Sequence, residues 1–170
     1  INGCNEVCKY LIDLKVNINF NHISYQALHF GLIDKELFEI LFDKVDIEYK
    51  EKLYYCMNDA IKHKNKSFVE FLLEKHAPFK NSLIKSVKSN DIELVKLILK
   101  YNSTPSFINY RTNKTALIVA IINDNIEIVK LLLSIPGIDV NIMDCKGNTP
   151  LMIAMEMLNE DITNAILDFI

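Results

Sequence analysis

The stretch Thr115 to Leu133 reads TALIVAIINDNIEIVKLLL, and Asn81 to Leu99 reads NSLIKSVKSNDIELVKLIL. The two are one sentence written twice. Ile126 to Leu133 lines up with Ile92 to Leu99, and 126 − 92 is 34. The same step recurs downstream, where Thr115-Ala116-Leu117 lines up with Thr149-Pro150-Leu151 and 149 − 115 is again 34. A fixed period of this length is the mark of a chain built from stacked units rather than around one irregular core. Upstream, Phe68 to Leu73, Leu37 to Phe42 and Val7 to Ile12 carry the same rhythm of apolar and polar residues.

Each unit predicts two short helices. An apolar segment comes first (Ala27 to Ile33, Cys56 to Ile61, Leu83 to Val87, Leu117 to Ile122, Leu151 to Leu158), and the repeated segment follows. In Ile126 to Leu133 only Glu127 and Lys130 are polar. A helix apolar on nearly every side has to be buried on several sides, and two turns of helix do not persist alone in water. Stacking on neighbouring units supplies that burial. Glu127/Lys130 and Glu93/Lys96, spaced i,i+3, mark the one solvated edge of the second helix.

The punctuation fits. Thr149-Pro150 is an N-cap followed by proline at the first helical position. Asp144-Cys-Lys-Gly147 reads as a turn with glycine where positive φ is easiest. Asn90-Asp91 and Asp124-Asn125 separate the first helix from the second.

A unit with Asp139-Val-Asn141, then Asp144, Gly147, Thr149-Pro150-Leu151 and Ala154 resembles the ankyrin repeat, whose period is about 33 residues. The unit from Thr115 keeps Thr115, Leu117, Ala120 and the whole second helix of that pattern. The resemblance implies an all-α fold: an ankyrin-repeat solenoid of paired antiparallel helices with short β-turn fingers. It covers residues 1–170 as a single domain, with a partial leading repeat at 1–25 and repeats at 26–54, 55–80, 81–114, 115–148 and 149–170. The middle is degenerate. The step from Tyr55 to Asn81 is only 26 residues, and His76-Ala-Pro-Phe79 stands where a finger is expected.

Val7 to Ile12 reads as a second helix without its first, and Ala165 to Ile170 as an apolar helix without a polar cap. Terminal repeats of a complete solenoid carry a polar outer face. The expectation is therefore an excised segment of a longer protein, with weak self-association through uncapped ends.

The formal net charge of −3 and pI near 5.8 argue against a nucleic-acid binder. The longest apolar run, Ala116 to Ile122, is far short of the roughly 20 residues a membrane span needs, and the first residues do not read as a signal peptide. Four scattered cysteines (Cys4, Cys8, Cys56, Cys145) read as reduced thiols. The expected location is cytoplasmic and reducing, with secretion as an effector left open. Abundant Asn and Ile, with Arg111 the only arginine, point to an AT-rich genome.

No chemistry-bearing set is evident. Cys4-x3-Cys8 with His22 lacks the ligand number and spacing of a zinc site, and Cys8 falls among core positions. His29, His63 and His76 lie in different repeats, without a partner nucleophile. His29 matches the family's hydrogen-bonding histidine, a structural role. Gly3, Gly31, Gly137 and Gly147 form no phosphate loop. The expectation is a non-enzyme with no metal and no cofactor. Met152, Met155 and Met157 cluster in the last repeat; adaptable contact and packing on a further repeat both account for them, and the second is the favoured expectation. By the resemblance, Asn141 stands at a position that some ankyrin repeats have β-hydroxylated, although an asparagine bonding the loop backbone explains it more simply.

The resemblance also implies a partner surface: the concave face formed by finger tips and the exposed ends of first helices. Carried over, it gives Ile33, Asp34, Lys62, His63, Lys88, Ser89, Ile122, Asn123, Glu156 and Met157, with Arg111, Lys114, Cys145, Lys146 and Asn148 from the fingers. Lys62, His63, Lys88, Arg111, Lys114 and Lys146 make its middle basic, which would steer an acidic peptide or protein surface. The alternative is that they are ordinary solvated positions. The expected function is a non-enzymatic protein–protein interaction module. The runner-up is a regulatory or tethering arm of a larger protein such as a channel, a kinase or a secreted effector.

Overall fold

Thr115 begins a helix because its Oγ1 accepts the Ile118 N–H at 3.2 Å, satisfying a donor that the first turn cannot. Thr149, one period later, does the same for Met152 N–H, with Pro150 at the first helical position. The computed structural model describes residues 53–75, 81–101, 108–109 and 114–170. The expected repeats at 1–25 and 26–54, with Cys4, Cys8, His22 and His29, lie outside them, as do Arg111 and His76-Ala-Pro-Phe79.

The chain divides into two compact units, residues 1–78 and 79–170. In the first, α1 (Leu53–Lys62) packs on α2 (Lys66–Glu74). Asn65 caps α2, its Oδ1 accepting from Phe68 N–H at 3.2 Å. Met57, Ala60 and Ile61 face Val69, Phe71, Leu72 and Leu73 in a core that excludes water.

The second unit holds α3 (Ser82–Lys88), α4 (Ile92–Tyr101), α5 (Ala116–Ile122), α6 (Ile126–Leu133), α7 (Pro150–Glu156) and α8 (Glu160–Leu167). Each first helix packs on its own second helix: α3 on α4, α5 on α6, α7 on α8. Like also stacks on like. α5 lies between α3 and α7, and α6 touches α4 and α8. This is the burial that the two-turn helices lack on their own. Every residue from Ala116 to Ile121 is buried, as are Ile128, Val129, Leu132 and Leu133. A two-stranded finger precedes α5: β1 (Ile108–Asn109) runs antiparallel to β2 (Lys114–Thr115), with Ile108 opposite Thr115.

Two places depart from the expected pattern. The last helix begins at Glu160, five residues before Ala165. Its first turn is acidic, which suits the positive end of the helix dipole but hides the apolar rhythm. At Asn81, one period before Thr115, the backbone is left-handed (φ 66°) and the side chain makes no cap. Next to it the fully buried Ser82 hydroxyl has no hydrogen-bond partner. The equivalent residue one period later is Ala116. A buried unsatisfied hydroxyl is unfavourable by about 1–3 kcal/mol. Ser82→Ala is therefore expected to stabilise the second unit by about 1 kcal/mol, read as a higher urea midpoint at unchanged slope.

Candidate functional site

The helix-to-helix turns are one structure written four times. Each first helix ends in a residue with left-handed backbone: Lys64 (φ 54°), Asn90 (φ 54°), Asp124 (φ 56°) and Leu158 (φ 56°). The amides there turn back onto the helix just finished, as in Asp124 N–H to Ile121 O at 2.9 Å and Leu158 N–H to Met155 O at 3.1 Å. The next residue caps the second helix: Asn65, Asp91, Asn125 and Asn159 each accept a backbone N–H three residues on. The left-handed position suits Asn and Asp and strains Leu.

In the second unit the turns are also bonded to one another. Asn125 Nδ2 donates to Asn90 Oδ1 at 2.8 Å, while Asn125 Oδ1 holds its own cap at 3.0 Å. Asn159 repeats this, with Nδ2 donating to Asp124 Oδ1 and Oδ1 accepting from Ile162 N–H. One side chain therefore starts a helix with its oxygen and grips the preceding repeat with its nitrogen. A further strut runs from Asn123 Nδ2 to Val87 O at 2.8 Å.

These turns place the residues expected to meet a partner. Two positions before each left-handed residue stand Lys62, Lys88, Ile122 and Glu156; one position before stand His63, Ser89, Asn123 and Met157. Lys62 and His63 are exposed at the end of α1. In the second unit Lys88, Ile122 and Glu156 form an exposed row on three successively stacked helices. Ser89 and Asn123 are half-buried and already engaged. The Ser89 hydroxyl donates to Ser86 O at 2.7 Å, and the Asn123 amide is the strut just described. Periodicity correctly groups these residues but does not show which polar atoms are bonded inward.

The row is not uniformly basic. Across the second unit it passes from a cation at Lys88, through an apolar Ile122 that is 41% exposed, to a carboxylate at Glu156 beside Met157. From the fingers, Lys146 is exposed, and its N–H donates to the buried Asp144 carboxylate in the turn that Gly147 (φ 83°) closes. Asp144 Oδ1 also accepts from Asn148 N–H at 3.1 Å, so it organises the whole finger tip and leaves Cys145 exposed. Lys114 pairs with Asn109 through the strand register. Asn141 is exposed, and its backbone N–H donates to Asp139 Oδ1 at 2.8 Å.

On the opposite edge Lys96 meets Glu93 at 2.8 Å. The hydrogen bond from Lys96 to that carboxylate, helped by attraction to Glu93 and Glu127, raises the ammonium pKa. Among the described residues no group of three or more His, Cys, Asp or Glu side chains could hold a metal ion. No helix among them is long and apolar enough to cross a membrane.

The family model for ankyrin repeats (3 copies) matches this chain twice, over residues 57–144 and 83–169. The chain belongs to the ankyrin-repeat family. The offset between the two matches, 83 − 57 = 26, is the shortened step between Tyr55 and Asn81. The ankyrin repeat domain of Bcl-3, described as a unique member of the IkappaB protein family, has a similar fold, with a TM-score of 0.60 and 22% identity. That likeness covers 66% of this chain and 50% of the Bcl-3 chain. No curated protein matches. Ankyrin repeats generally mediate protein–protein interaction and are typically non-enzymatic.

Proposed function

We propose that this ankyrin array is a non-enzymatic binding module, and that its partner docks on the face made by the first-helix ends and the fingers. The observation that carries this reading is the row Lys88, Ile122, Glu156, exposed on three stacked helices and held in register by the Asn125 and Asn159 bonds. A rigid row of regularly spaced side chains suits an extended surface or peptide, and its rigidity limits the ordering cost of binding. The partner presents acidic groups toward Lys62, His63, Lys88 and the finger cations Arg111, Lys114 and Lys146, and an apolar contact for Ile122. The protein acts in the cytoplasm without a cofactor.

The test is affinity capture from the source cell with the wild-type chain and two folded variants. One carries Lys62→Glu, Lys88→Glu and Lys114→Glu together. The other carries Lys130→Glu on the exposed face of α6. Loss of the captured protein with the triple variant alone is expected, with release of the wild-type complex as salt rises. Equal capture by all three chains removes this face from the reading.

A further inference from the structure

The outer face of the last repeat differs from the faces inside the stack. Ile118 and Ile121 on α5 are fully buried, whereas Met152 and Met155, one period later on α7, are 50% and 58% exposed. On α8 the corresponding surface turns polar. Glu160 replaces Ile126, and the half-buried Thr163 replaces the fully buried Val129. Between the two helices lies an open groove of about 370 Å³, lined by Met155, Leu158, Asn159, Glu160, Thr163 and Asn164.

This face is ill suited to another repeat in the same register. Asn90 and Asp124 each supply an oxygen to the amide of the following turn. Leu158 occupies their position and has no acceptor, with its side chain 87% exposed. The charge is also one-sided. From Gly147 to Ile170 the sequence holds Glu156, Glu160, Asp161 and Asp168 and not one Lys or Arg. A second copy placed face to face would set carboxylate against carboxylate, and an anionic lipid surface would be repelled.

We infer that this face is a second docking site, for a basic amphipathic helix of a partner protein. Methionine and leucine side chains adapt to the apolar stripe of such a helix, at i, i+3, i+4 and i+7. Carboxylates at the rim pair with its flanking lysines or arginines and reject an acidic helix. This site is separate from the first-helix row and has the opposite charge preference.

The experiment titrates the wild-type chain with a synthetic helix of about 18 residues, leucine on one face and lysine on the other, and with the same helix carrying glutamate for lysine. Binding of the lysine helix only is expected. Met155→Ser and Glu160→Gln should each weaken it about tenfold or more, with the fold confirmed by circular dichroism. Lys88→Glu should leave it unchanged, which keeps this result independent of the first-helix row. Equal binding of both helices, binding of neither, or an equal loss with Lys88→Glu overturns the assignment. So does sedimentation showing self-association that Met155→Ser abolishes, since a second copy would then be the occupant.

Discussion

Replacing Ile118 with alanine is expected to destabilise the second unit by about 2–5 kcal/mol, whereas replacing Met152 with alanine should change it by less than about 0.5 kcal/mol. The two residues occupy the same place in successive repeats, since 152 − 118 is 34. Ile118 is fully buried on α5, the helix that packs on both α3 and α7. Its truncation loses transfer free energy and leaves a cavity that two neighbouring repeats line. Met152 is half exposed, so its removal opens no cavity. Urea unfolding of the two variants, followed by circular dichroism, measures the difference as a shift in midpoint at constant slope. A loss of this size is a large part of the about 5–15 kcal/mol that holds a typical domain together, so Ile118→Ala should be partly unfolded on mild warming. Equal costs at the two positions would show either that stacking does not bury Ile118 or that something covers Met152 in solution.

Much of this architecture is legible in the sequence because a two-turn helix can be apolar all round only if neighbours cover it. The period from Ile92 to Ile126, the caps Thr115 and Thr149, and the Gly147 turn all follow from that requirement and from local backbone chemistry. What the period cannot show is which atom of an equivalent residue is engaged. Asn123 and Ser89 stand in the right places for a binding row, yet each is bonded to a backbone carbonyl. The start of α8 escaped because Glu160 and Asp161 satisfy the helix terminus electrostatically and break the apolar pattern there. The bonds between turns left a trace that is plain in retrospect. Asn90-Asp91, Asp124-Asn125 and Leu158-Asn159 fall 34 residues apart.

The two surfaces of the second unit follow from one departure from strict repetition. A perfectly periodic array would present the same residue at 88, 122 and 156, and the same at 90, 124 and 158. Here the first series runs Lys, Ile, Glu and the second Asn, Asp, Leu. Core positions keep their chemistry because stacking fixes their volume. Exposed positions drift, and the drift gives the row its charge gradient and the last repeat its acidic, methionine-rich end. Function is carried by these differences between repeats, on a scaffold that their similarities define.

Asn159→Asp should be the most damaging single-atom-scale change at the turns, at about 1–2 kcal/mol, although it preserves the cap. The aspartate oxygen can still accept from Ile162 N–H as Asn159 Oδ1 does. The amide nitrogen that donates to Asp124 is lost, and a carboxylate takes its place against another carboxylate. Two such charges about 4 Å apart repel by about 1 kcal/mol even in water-like surroundings, in addition to the lost hydrogen bond. Asn125→Asp offers the contrast, because its neighbour across the turn is Asn90. That amide can turn over and present its nitrogen to the new carboxylate, so the expected cost is under about 0.5 kcal/mol. The same reasoning makes Asp124→Asn a suppressor of Asn159→Asp, since it restores a donor opposite the acceptor. A double-mutant cycle across 124 and 159, measured by urea unfolding at low and high salt, separates the parts. The repulsive part should shrink as salt is raised. If Asn159→Asp is neutral and uncoupled to position 124, the turns are joined by packing alone.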